Sequence, residues 1–265
     1  MTPDLENSLI AMSSAGDLDR MKAMLPSGHE SLPSEKTIQH LLEAAAKGPN
    51  SEVVDFLLDR YPTVQLNEEI VRGAVNTGSI PVFKSLLAWD PDIINMRFDM
   101  RGTPLVVACQ GRQSVEYLRV MLEAGADPNM DPDTSAFPLT LVAYLYGDEG
   151  PAAIDLLLQH GARPAGTGAL AAAASKGKED VVLRLLEGGA HPAVEPNAMA
   201  GGNYPSPLHL AVSHGRDGVV RLLLQHGADP KATDSDGLTA MEIAKRMQLD
   251  GKNVSKVLEV LEKQG

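Results

Sequence analysis

Leu122-Glu-Ala-Gly-Ala-Asp-Pro128 is met again as Leu158-Gln-His-Gly-Ala-Arg-Pro164, Leu186-Glu-Gly-Gly-Ala-His-Pro192 and Leu224-Gln-His-Gly-Ala-Asp-Pro230. The glycines of these four copies, at 125, 161, 189 and 227, lie 36, 28 and 38 residues apart, an average of 34. A period in that range marks a chain built of stacked supersecondary units. The frame runs backwards through weaker copies ending at Leu25, Leu58 and Leu87, and forwards into Val254-Ser-Lys-Val-Leu258, which gives eight units.

Each unit follows one physical pattern. A short Ala-rich segment comes first, such as Leu170-Ala-Ala-Ala-Ala174 or Leu208-His-Leu-Ala-Val212, whose small side chains let neighbouring helices approach closely. It predicts an inner helix. A glycine follows, at 16, 78, 147, 177 or 215, suited to the left-handed backbone that reverses the chain after a helix. The next segment, as in Asp217-Gly-Val-Val-Arg-Leu-Leu-Leu224, repeats its apolar positions near helical spacing and predicts an outer helix. The Gly-Ala-Asp-Pro string ends it, because Gly caps a helix and Pro cannot continue one. A helix pair this short cannot bury its apolar face alone, so it must stack on the next pair.

Asp99-Met-Arg-Gly-Thr-Pro-Leu105, Ser206-Pro-Leu-His-Leu-Ala211, Asp234-Ser-Asp-Gly-Leu-Thr-Ala-Met241 and the Gly-Ala-Asp-Pro ends together resemble the ankyrin repeat. The resemblance implies an all-α solenoid of stacked antiparallel helix pairs with short projecting finger loops. The expected domain is single, 1–265, with units at about 5–30, 35–62, 67–92, 98–128, 131–164, 165–192, 200–230 and 234–264. The first three units depart from the pattern: Pro26-Ser-Gly28, Asp59-Arg-Tyr61 and Ala88-Trp-Asp90 stand where Gly-Ala-Asp is usual. Two connections, Asp90 to Arg101 and Ala193 to Tyr204, are longer than the period requires. In the ankyrin family that place is the finger that projects toward the concave side.

Composition supports the helical reading and narrows the function. Aromatic residues make up only 4% of the chain, so the core rests on Leu, Val, Ala and Met. The formal net charge of -12 repels nucleic-acid phosphates and anionic lipid, and neither is an expected partner. The lone Cys109 cannot form an internal disulfide and fits a reducing compartment. With no leader pattern near residue 1 and no apolar run of about 20 residues, a soluble protein of the cytoplasm or nucleus is expected. The oligomeric state is left open, a monomer being compatible with the sequence.

Catalytic motifs are not found. No Ser elbow, phosphate loop or dinucleotide fingerprint stands in its required context, and the seven histidines do not form a metal set. No cofactor is expected. His160 and His226 precede a capping Gly and read as helix C-terminal residues; for His209, in the Pro-Leu-His slot, the ankyrin resemblance implies a hydrogen-bonding role between neighbouring turns, and Cys109 reads as a packed, inert thiol.

What the resemblance implies is a non-enzymatic protein-protein interaction module, an adaptor, scaffold or inhibitor, binding another protein on its concave face. The expected contacts are Met100 and Arg101 on the unit-4 finger, Tyr144 and Tyr146 in unit 5, and Asn203, Tyr204 and His214 in unit 7. Aromatic residues and Arg are frequent binding anchors. The alternative is a small-molecule binder or atypical enzyme with a pocket around Tyr144, Tyr146, Tyr204, His209 and His214.

Overall fold

The structure, a computed structural model, describes residues 2–25, 33–130, 136–192 and 206–263. Helices and turns make up these residues; the extended pairing among them is two isolated bridges, Phe98 with Gly102 and Thr233 with Thr239. The fold is all-α. The chain divides into two compact units, residues 1–126 and 127–265, and each holds four helix pairs.

In the first unit the pairs are α1 (Pro3–Ala15) with α2 (Leu18–Met24), α3 (Glu35–Ala46) with α4 (Ser51–Arg60), α5 (Glu68–Thr77) with α6 (Ile80–Trp89), and α7 (Pro104–Gln110) with α8 (Val115–Glu123). Helix α3 packs on α1, α5 on α3 and α7 on α5, forming the inner layer, while α6 packs on α4 in the outer layer. In the second unit the pairs are α9 (Pro138–Leu145) with α10 (Gly150–Gln159), α11 (Ala169–Lys176) with α12 (Glu179–Glu187), α13 (Pro207–Ser213) with α14 (Asp217–Gln225), and α15 (Ala240–Leu249) with α16 (Ser255–Glu262). Here α9, α11, α13 and α15 succeed one another in the inner layer, and α10, α12, α14 and α16 in the outer.

The repeated leucines and valines fill the space between layers. Val181, Val182, Leu185 and Leu186 of α12 and Val219, Val220, Leu223 and Leu224 of α14 are buried, the i, i+1, i+4, i+5 row of one helix face. Ala169, Ala173 and Ala174 of α11 are wholly buried, and their small size is what brings α9 and α13 close to α11 on either side.

Helix ends follow the sequence closely. Thr103, Ser114 and Thr239 accept hydrogen bonds from backbone N–H groups three residues on, the last within a reciprocal capping box with Glu242. Gly125, Gly161, Gly189 and Gly227 are all left-handed, with φ between 83° and 96°. Gly147 departs from expectation: α9 ends instead through Tyr146 in an extended conformation, so no left-handed residue is required at 147.

The long connection after α6 is more structured than a projecting loop. Pro91–Asn95 form a 3-10 helix whose Ile93 and Ile94 are buried, and Phe98, 1% exposed, anchors a tight turn closed by its bridge to Gly102. The second long connection, 193–204, lies outside the described residues.

Candidate functional site

On the inner face of the second unit, the side of α9, α11 and α13 away from their outer partners, an open trough of about 410 Å³ runs between three helices. Its floor is small: α11 contributes Gly168, Ala171, Ala172 and Ser175. Its walls are larger, Leu141 and Tyr144 from α9 on one side and Leu210 and His214 from α13 on the other. The sequence that makes tight packing possible also makes the trough, because alanines that admit a neighbouring backbone on one side of α11 leave a depression on the other.

Tyr144 dominates the wall. It is 49% exposed, and the Lys176 ammonium lies 3.8 Å from its ring centroid, within cation-π range. The end of α9 that carries it is held by Lys178, whose Nζ donates to the carbonyls of Ala143 at 2.7 Å and Tyr144 at 3.3 Å, and to that of Tyr146. Burial of this ammonium, with the positive Lys176 beside it, holds Lys178 below the usual lysine range. On the other wall, His214 Nδ1 donates to the Leu210 carbonyl at 2.8 Å. A carbonyl oxygen only accepts, so Nδ1 carries the proton of this bond.

Of the expected contact residues, Tyr144 and His214 meet in this trough. Tyr146 does not, and the expectation for it is corrected: the residue is 3% exposed, because α9 stops at Leu145 and the extended backbone turns the next side chain into the core. Asn203 and Tyr204 lie outside the described residues. Met100 and Arg101 belong to the first unit, at the tip of the turn anchored by Phe98; Met100 is 72% exposed with φ 55°, and Arg101 is exposed. The backbone N–H of Asp99 donates to Glu68 Oε2 at 2.9 Å, which ties the tip to α5.

The first unit's inner face is charged. Glu6 faces His40 Nδ1 at 3.3 Å, Glu43 pairs with Lys47 at 2.6 Å, and Glu69 pairs with Arg72. The hydrogen bond from Arg72 holds the Glu69 carboxyl below its usual range, and the charges of Lys47 and Arg101 add to that pull. Arg101 thus extends a ladder of charges.

Residues without a common type do one job between repeats. Asn50 donates to the carbonyls of Ser13 and Ser14 at the end of α1, Gln113 to those of Val75 and Asn76 at the end of α5, and Arg216 to that of Ser175 at the end of α11. Lys178 does the same for α9. Each residue lies just before an outer helix and satisfies carbonyls that the preceding repeat's inner helix leaves open. These donors do not show in a comparison of repeats, since Asn, Gln, Lys and Arg share only an N–H.

The histidine and cysteine assignments hold. His209 is 1% exposed; its Nε2 donates to the Ala232 carbonyl at 3.1 Å, so Nδ1 accepts from the Ser206 hydroxyl at 2.7 Å. His226 Nδ1 donates to the Leu222 carbonyl at the end of α14. Cys109 is fully buried, and desolvation pushes its thiol far up, away from the nucleophilic thiolate. Among the described residues no group of three or more His, Cys, Asp or Glu could hold a metal ion, and no helix is long and apolar enough to cross a membrane.

Known proteins share the repeat. A family model described as ankyrin repeats (many copies) matches residues 197–244. The putative ankyrin repeat protein YahD of Escherichia coli is 30% identical over 182 residues, covering 65% of this chain and 86% of that protein. The ankyrin repeat-containing protein P1E11.10 of Schizosaccharomyces pombe is 36% identical over 77 residues, 29% of this chain. The chain spans 35% of the length of that yeast protein, and 27% and 22% of two further relatives. The crystal structure of the human ASB11 ankyrin repeat domain superposes with a TM-score of 0.65 at 22% identity, covering 84% of this chain and 97% of that domain, a likeness of fold. With the repeat strings, the paired helices and a relative matched over most of its length in agreement, the chain belongs to the ankyrin-repeat family.

Proposed function

We propose that the chain is a non-enzymatic protein-interaction module that takes its partner on the inner-helix face, with the trough of the second unit as the principal contact. Ankyrin-repeat domains generally mediate protein-protein interaction, and the observation that carries this reading is the trough itself. Leu141, Tyr144 and Leu210 of the inner helices are partly uncovered in one continuous depression. Met100 and Arg101 on the first unit's finger, and Asn203 and Tyr204 before α13, are proposed as additional contacts. An adaptor, scaffold or inhibitor role, in the reducing setting of cytoplasm or nucleus that suits a buried thiol, completes the proposal. The small-molecule alternative loses its expected walls, since Tyr146 and His209 are buried and the depression is open.

The test is calorimetry with a partner identified by crosslinking and then purified. Replacing Tyr144 and Leu210 together by Ala is expected to weaken binding by at least about 2 kcal/mol with unchanged helical content, as loss of an anchor does. Replacing Arg184 and Arg221 on the outer helices is expected to change it little. Equal loss from the outer pair moves the site off the inner face.

A further inference from the structure

We infer that the occupant of the trough is an acidic amphipathic helix of the partner, lying lengthwise along α11; this rests on the interaction-module reading and gives it a partner class.

The shape argues for a helix and for its direction. From Gly168 to Ser175 the trough side of α11 carries nothing larger than a hydroxymethyl group, a floor about 10 Å long at 1.5 Å per residue. The walls run along the same direction: Leu141 and Tyr144 are three residues apart on α9, and Leu210 and His214 four apart on α13. Packed helices sit about 8–10 Å apart axis to axis, so α9 and α13 flank the floor at roughly twice that distance. A helix with its side chains is about 10–12 Å across. It fills the space above the alanines and reaches both walls, with its i, i+3, i+4, i+7 stripe against leucine and tyrosine.

Charge argues for acid. No carboxylate lines the trough. Its end nearest the C-termini of the inner helices carries the Lys176 ammonium over Tyr144. The nearby carboxylates of Asp148, Glu179 and Asp180 line a separate depression around Lys178. A basic end to an apolar trough stands out in a chain of net charge -12, and it complements carboxylates on the polar face of an incoming helix.

The test titrates the full chain, by fluorescence anisotropy at low salt, into three labelled peptides of about 18 residues. One has a leucine stripe at helical spacing with Glu on the polar face; the second has Lys for Glu; the third is the Glu peptide with a central Pro that prevents a helix. The net charge of the protein by itself favours the Lys peptide, so bulk electrostatics cannot produce the expected result. The Glu helix is expected to bind at least tenfold more tightly than either of the others. Lys176→Glu should weaken the Glu helix at least tenfold and strengthen the Lys helix, and Ala172→Trp, which fills the floor, should remove binding with the helical spectrum retained. Equal or tighter binding of the Lys helix overturns the acidic assignment. Equal binding of the Pro peptide overturns the helix, and an unchanged affinity in Ala172→Trp overturns the location. Should the Glu helix not bind while the Tyr144/Leu210 variant still loses its natural partner, this inference fails and the interaction-module reading stands.

Discussion

Gly177 and Gly215 close successive inner helices with the same left-handed backbone, φ 75° and 67°, yet their surroundings differ. A Cβ at 177 would lie 2.7 Å from Arg216 Cδ, the side chain that reaches back to the Ser175 carbonyl, whereas a Cβ at 215 meets nothing within 4 Å. Gly215→Ala is therefore expected to cost only the left-handed strain, about 1–2 kcal/mol. Gly177→Ala carries the same strain and also displaces Arg216, adding about 1 kcal/mol for the lost hydrogen bond. Urea unfolding of the two variants checks this, and equal midpoints would show that the Arg216 contact contributes nothing to stability. The sequence reading reached the glycines and not the donors beside them. Glycine is the residue that left-handed backbone demands, so it repeats by type; a carbonyl at a helix end accepts any N–H within reach, so the donors repeat by position alone. Tyr146 differs from Tyr144 because α9 ends at Leu145 between them, and an aromatic residue just past a helix end takes its direction from the extended backbone there.

Helix α15 shows what an element gains from its first turn. Thr239 Oγ1 accepts from the Glu242 backbone N–H at 3.3 Å, while the Glu242 carboxylate takes the Thr239 N–H and hydroxyl, each at 2.8 Å. Those two hydrogen bonds hold the Glu242 carboxyl below its usual range. A carboxyl depressed by folding contributes stability that is present above its unfolded value, near 4.3, and is lost as pH falls through the lower folded value. Glu242→Ala is thus expected to unfold at lower urea than the wild type at pH 7, with the difference narrowing in the acid range below pH 4. A gap that stays constant with pH would mean that the carboxylate's charge has no part in the cap. At this scale the sequence was highly legible. Apolar spacing, Thr or Ser before the helix and Gly after it act within a few residues of one another, and the described residues hold eight helix pairs. The trough was less so, since it depends on which side of an alanine helix has no neighbour, a property of the stack.

For the molecule as a whole, the repeat frame crosses residue 126 without a break, because Gly125-Ala-Asp-Pro128 at the division between the two compact units follows the same Gly-Ala-x-Pro pattern that recurs at 161–164, 189–192 and 227–230 within the second. We propose on that ground that the eight repeats fold as one domain. In a repeat array, stability is close to a sum of unit terms and nearest-neighbour terms, so cooperativity extends as far as those interfaces hold. The chain has a built-in reporter: its one tryptophan, Trp89, lies on α6 in the first unit with Nε1 donating to the Val64 carbonyl at 3.4 Å. Leu223 of α14, in the second unit, is 0% exposed, and Leu223→Ala should cost about 2–5 kcal/mol. If the repeats unfold together, this distant substitution shifts the Trp89 fluorescence transition and the far-UV circular dichroism transition by the same amount. Leu57→Ala on α4, equally buried and on the tryptophan's side, should give the same pair of shifts. A tryptophan transition that Leu223→Ala leaves in place, while part of the helical signal melts earlier, would show that the two units unfold separately and that the single-domain proposal is wrong.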